Sequence, residues 1–176
     1  MAIQKKICML GAFGVGKTSL VNSYLKGTFS PNYDTTVGVR IDLKPLRTPS
    51  GEFNLVIWDI AGEDEFQRTP PSYLVGSAGY ILVADVTRRS SFTRAIDIQK
   101  YAEERLGRLP FVFVLNKFDL TDDWEIDRDL LDRLVKRNWV ILESSAKTGM
   151  GVEAVFQVLA QQILENPNGS LPLTDS

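Results

Sequence analysis

Apolar runs of strand length alternate along the chain with stretches whose apolar residues recur at helical spacing, the pattern of a parallel sheet with crossover helices. Residues 3–10 (IQKKICML) predict a first strand. After a glycine-rich turn, Leu20, Tyr24 and Leu25 share one face of a helix over 17–25. The runs 37–47 and 52–60 are joined by Thr48-Pro49-Ser50-Gly51, whose Pro and Gly favour a turn, so they predict an antiparallel hairpin. Buried strands are expected at 80–86, 110–115 and 139–142, separated by helices near 91–106 and 127–137. A last amphipathic helix over 151–165 puts Val152, Val155, Phe156, Leu159 and Ile163 on one face. Pro70-Pro71 is expected to interrupt the helix in its segment. Residues 166–176, polar with two prolines, predict a disordered tail, which leaves one domain over 1–165.

Composition narrows the chemistry. The 176 residues fit one domain with a sizeable core, and they include no histidine and a single cysteine, Cys8. That removes Ser-His-Asp and Cys-His catalysis, histidine metal sites, disulfide frameworks and zinc clusters. Twenty Lys and Arg against 22 Asp and Glu give no field that would gather nucleic acid, so no such partner is expected. The apolar runs are far shorter than the roughly 20 residues that span a bilayer, and the first residues carry neither a signal-peptide core nor the glycine for myristoylation. The expected compartment is the cytoplasm.

Gly11-Ala12-Phe13-Gly14-Val15-Gly16-Lys17-Thr18 matches GxxxxGK[ST] and lies between a predicted strand and a predicted helix. Glycines let successive backbone N–H groups curl around a polyphosphate, and the helix N-terminus adds partial positive charge. Gly14, Val15, Gly16, Lys17, Thr18 and Ser19 are therefore the expected phosphate-binding run, with Lys17 as a cation for the β and γ phosphates. The Thr18 hydroxyl suits Mg2+, a hard ion that prefers oxygen. Asp59-Ile60-Ala61-Gly62 ends the third predicted strand, where a second acidic element would hold that ion through Asp59. Gly62 lets the chain approach a γ-phosphate closely enough to donate its N–H, a hydrogen bond that hydrolysis removes. In the loop between these motifs, Thr36 offers a second hydroxyl for the metal; taken singly it reads as a turn residue, and the companion motifs favour the ligand.

Asn116-Lys117-Phe118-Asp119 follows the apolar strand FVFVL, and Ser145-Ala146-Lys147 follows VILES. Both stand at strand C-terminal ends, where open α/β sheets bind ligands. Guanine presents two adjacent donors, N1–H and the N2 amino group, which the Asp119 carboxylate can accept together. Adenine has no such pair and would leave a buried carboxylate unpaired, a penalty of roughly 1 to 3 kcal/mol or more. The Ala146 N–H would meet guanine O6.

With these elements in order, residues 3 to about 165 resemble the Ras superfamily of small GTPases, and Thr35-Thr36-Val37-Gly38 with Trp58-Asp59-Ile60-Ala61-Gly62 look most like the Rab branch and its prokaryotic Ras-like relatives. The resemblance implies a P-loop NTPase G domain with a six-stranded, mostly parallel sheet, one antiparallel strand and about five helices. It implies GTP and GDP as ligands, Mg2+ as cofactor, and switch segments at about 29–39 and 60–77 that meet effectors and regulators. It also implies that Phe29 packs against the guanine, Tyr33 covers the phosphates and Lys117 stacks over the base. Trp58 reads instead as a core or hairpin aromatic.

Three positions depart from the family pattern. Where the family usually has a glutamine after Gly62, this chain has Glu63, which accepts but does not donate and adds charge beside an anionic transition state; slow hydrolysis and a base toward water are the two readings. Phe13 stands where a small residue is common and either crowds the γ-phosphate side or lies outward against a switch. The last residues carry no prenylatable cysteine or basic cluster, so a direct lipid anchor is not expected, and membrane association would need a partner or a missing tail. The expected function is a GTP-hydrolysing switch in which Lys17, Thr36, Gly62 and Glu63 attend the reaction. The alternative is a module that holds GTP with negligible turnover.

Overall fold

The computed structural model describes residues 3–26, 38–63 and 68–167. Six strands, β1 (Gln4–Gly11), β2 (Val39–Thr48), β3 (Gly51–Ile60), β4 (Ser77–Asp85), β5 (Phe111–Asn116) and β6 (Ile141–Glu143), form one sheet in the order β2-β3-β1-β4-β5-β6. Only the β2–β3 hairpin is antiparallel, running from Val39 opposite Ile60 to Thr48 opposite Gly51. Five α-helices are found among the described residues: α1 (Lys17–Lys26), α2 (Pro71–Leu74), α3 (Arg89–Leu106), α4 (Arg128–Lys136) and α5 (Val152–Glu165). The expected tail lies outside the described residues beyond position 167.

The parallel strands bury both faces, so their alternation divides one apolar run between two cores. Ile7, Met9, Ile81, Val83, Val112 and Val114 face one side, where α1 and α5 cover them with Leu20, Val21, Val155, Phe156 and Leu159. Cys8, Leu10, Tyr80, Leu82, Phe113 and Leu115 face the other, under Phe92, Ala95 and Ile98 of α3 and Leu134 of α4. On the first face Tyr24 stacks flat on Phe156 with ring centroids 3.9 Å apart. On the second, Phe113 meets Phe92 and Trp139 edge-on. Cys8 is fully buried, with its sulfur 3.1 Å from the Ser77 hydroxyl, so it offers no surface thiol. No helix among the described residues is long and apolar enough to cross a membrane.

The expected elements are present with shifted edges. Strand β4 begins at Ser77, ahead of the expected residue 80, because Ser77-Ala78-Gly79 are poor strand formers that β1 recruits by pairing. Gly79 is required there: a Cβ would lie 2.7 Å from the Pro110 carbonyl oxygen. Strand β6 begins at Ile141, and Trp139, expected inside it, instead caps Phe111 and Phe113 after a turn in which Asn138 takes φ 63°. Residues 68–70 are not helical and Pro71 opens the short α2, a position that needs no N–H and welcomes its fixed φ; residues 64–67 of the segment lie outside the described residues. Trp58 is a hairpin aromatic on β3, opposite Ile41, with Tyr73 beside it and the Lys6 ammonium 3.6 Å above its ring.

Phe156→Ala is expected to cost about 3–5 kcal/mol, since it empties the space under Tyr24, whereas Val135→Ala on the exposed side of α4 should stay within about 0.5 kcal/mol. Urea unfolding midpoints of the two variants check the contrast.

Candidate functional site

The C-terminal ends of β1, β3, β4 and β5 meet at one edge of the sheet, and the residues singled out from sequence gather there. Residues 12–16 leave β1 as a loop that turns into α1, with Gly14 at φ 76° and Gly16 at φ 101°, conformations that curl consecutive N–H groups to one side. Gly16 has a second constraint, because a Cβ there would collide with the Asn116 side-chain nitrogen.

Lys17 is the first residue of α1 and is almost wholly buried, with its ammonium 3.2 Å from the Gly11 carbonyl oxygen and 3.3 Å from that of Ala12. Burial pushes its pKa down to about 8; Asp59 and Glu63 oppose that, and the nearby Arg88 adds to it. Thr18 donates its hydroxyl to the Asp59 carboxylate at 2.7 Å, with Asp59 fully buried at the end of β3. That pair fits a small hard cation, since both groups offer oxygen, and Mg2+ keeps part of its shell from phosphate and water rather than from a full protein cage.

Beyond Asp59 the chain passes against the loop. Gly62 lies so near Phe13 that a Cβ would stand 2.5 Å from its α-carbon, and the next residue closes a small bridge in which Phe13 N–H donates to the Glu63 carbonyl oxygen at 2.9 Å and Glu63 N–H to that of Gly11 at 3.2 Å. The Glu63 side chain is buried, and its carboxylate accepts the Thr69 N–H at 3.0 Å. The Phe13 ring is half exposed.

At the end of β5, Asn116 donates its side-chain amide to the Val15 carbonyl oxygen at 2.9 Å and accepts from the Ser144 hydroxyl at 3.1 Å. Lys117, at φ 62°, donates to the Gly14 carbonyl oxygen at 2.9 Å. Asp119 accepts the Ser145 hydroxyl at 2.7 Å, which joins the two base-reading motifs, with Ala146 buried beside them and Lys147 exposed. Ser19 is partly buried on the first turn of α1. Thr36, Phe29 and Tyr33 lie outside the described residues.

Two residues join the site that the motifs did not include. Asp85 ends β4 almost fully buried and receives the Lys117 ammonium at 2.8 Å, while Arg88 stands 3.8 Å from the same carboxylate oxygen. Burial alone would raise the Asp85 pKa, but Lys117 and the two bonds from Thr87 hold it below the usual 3.8. A signal for them exists in the chain: a carboxylate at a strand C-terminal end on the ligand edge, followed within three residues by an arginine.

A family model described as the Ras family matches residues 6–165. Among curated relatives, Ras-related protein Rab-18-B of Danio rerio is 38% identical over 165 residues, covering 92% of this chain and 80% of that protein. Ras-related protein RABC2a of Arabidopsis thaliana is 36% identical over 93% of this chain and 79% of its own, and Ras-related protein Rab-18 of Lymnaea stagnalis is 34% identical over 92% and 81%.

Asp85→Asn should destabilise the protein by about 1–3 kcal/mol at neutral pH, because Lys117 keeps its charge and loses its counter-charge. A carboxyl whose folded pKa is depressed contributes stability above its unfolded value and loses it as pH falls through the folded one. The gap between parent and variant is therefore full at pH 7 and narrows below about pH 4, as thermal melts at the two pH values will read.

Proposed function

The chain belongs to the Ras family of small GTPases, and from that premise we propose how its own residues divide the work of binding and hydrolysing GTP. The protein is a GTP-binding switch that hydrolyses GTP to GDP and phosphate. The observation that carries the residue assignment is the pair of side-chain bonds from the base-reading motif to the phosphate loop, Asn116 to Val15 and Lys117 to Gly14. Through them the base and phosphate subsites are one rigid piece.

On this reading the Asp119 carboxylate, oriented by Ser145, accepts the two donors of guanine, and the Ala146 N–H meets O6. The N–H groups of residues 14–18 surround the phosphates, and Lys17 exchanges two neutral carbonyl partners for phosphate oxygens. Thr18 and Asp59, with Thr36, would hold Mg2+, which would supply charge neutralisation for the phosphates. Gly62 presents its N–H to the γ-phosphate from its close approach to the loop, so loss of that phosphate releases the segment behind it. Effectors and regulators meet segments 29–39 and 60–77; the exposed apolar side chains Ile41 and Leu43 on β2 follow the first, and exposed Val75, after α2, lies within the second.

Glu63 is the slow element. Its carboxylate holds the Thr69 N–H, and to meet a water it must abandon that bond and bring negative charge to an anionic transition state. A glutamine can accept from water and donate to phosphate without that charge. Glu63→Gln is therefore expected to raise single-turnover GTP hydrolysis by about tenfold, roughly 1.4 kcal/mol of barrier; equal rates would show that Glu63 has no role. Asp119→Ala should lower the preference for GDP over ADP at least about tenfold in equilibrium titrations.

A further inference from the structure

The phosphate loop can surround an anion only if its peptide planes are turned the right way. Every peptide bond among the described residues is trans, so a C=O and the following N–H point in opposite directions. A side chain that fixes a loop carbonyl from outside therefore fixes the next N–H inward. Asn116 does this for the Val15 carbonyl and so turns the Gly16 N–H; Lys117 does it for Gly14 and turns the Val15 N–H.

One more carbonyl precedes these, that of Phe13, and the Arg88 guanidinium donates to it at 2.7 Å. We propose that Arg88, braced by Asp85, is a positioning residue of the phosphate site: by holding the Phe13 carbonyl outward it turns the Gly14 N–H toward the phosphate chain. The inference rests on the reading of this loop as the phosphate subsite and extends it by one peptide.

Asp85 lies between Arg88 and Lys117, with one carboxylate oxygen 3.8 Å from the Arg88 Nε and 2.8 Å from the Lys117 ammonium, so both outside donors share an anchor. The Ser91 hydroxyl donates to the Arg88 carbonyl oxygen at 2.7 Å, and this ties the start of α3 to the brace. Arg88 also lies against Gly14 itself: a Cβ on that glycine would stand 3.4 Å from Nη1. The peptide it holds leads into Gly14, whose φ of 76° lies in the region that favours glycine. Arg88 is about 41% exposed and need not touch the nucleotide.

A brace on one phosphate-facing N–H affects ligands according to their phosphates. The test is isothermal titration of nucleotide-free parent, Arg88→Ala and Arg88→Lys proteins with GDP and with GMP, at constant Mg2+ and salt. The expected result is that Arg88→Ala weakens GDP about tenfold, the worth of one charge-assisted hydrogen bond, and GMP less than about twofold, while Arg88→Lys recovers part of the GDP loss through a single donor. Unchanged GDP affinity in Arg88→Ala would overturn the proposal. So would a parallel loss of GDP and GMP, which marks general damage to the fold. Failure of the parent to bind GDP at all would instead overturn the underlying assignment of the loop.

Discussion

Peptide N–H groups converge on an anion only when the carbonyls of the same peptides are satisfied on the far side, and this requirement organises the functional edge of the protein. A loop of small residues does not meet it unaided, since its carbonyls would turn inward as readily as outward. Here donors from other strands reach across the sheet edge: Asn116 and Lys117 from the end of β5, Arg88 from the turn after β4. The order β3-β1-β4-β5 places those strand ends side by side, so the sheet topology is what brings the donors within reach.

The same edge explains why the second phosphate-facing segment responds to what the loop holds. Glu63 is bonded to the loop through both backbone groups, and Gly62 has no room for a side chain against Phe13. Past residues 64–67, Leu74 packs into the second core, and the Tyr101 hydroxyl donates to the Thr69 carbonyl oxygen.

Two of the three departures from the family pattern acquire different meanings in this setting. The Phe13 backbone takes part in the bridge to Glu63 and receives Arg88, while its ring is half exposed. The side chain of Glu63 is turned into the protein, where the Thr69 N–H holds it and the Lys17 cation is near. A carboxylate in that place carries structure as well as charge.

Most of the architecture was legible in the sequence because buried parallel strands are short apolar runs and covering helices carry apolar residues on one face. The motifs also declared their own positions, since Gly16, Lys17, Thr18, Asp59, Asn116 and Asp119 all stand at predicted strand ends or helix starts. Element edges were less legible: Ser77-Ala78-Gly79 form strand only because β1 pairs with them, and Trp139 leaves its strand to pack on two rings. The Asp85–Arg88 pair left a signal in the sequence, a carboxylate at a strand end with an arginine three residues on, but not the bond that gives it meaning, because that bond reaches a carbonyl 75 residues away. Sequence alone placed the candidate binding groups at strand ends and helix starts, as these follow from residue chemistry and local spacing. Tertiary structure decided which loop carbonyls are held and where the Glu63 side chain lies, because orientation depends on donors that only folding brings together.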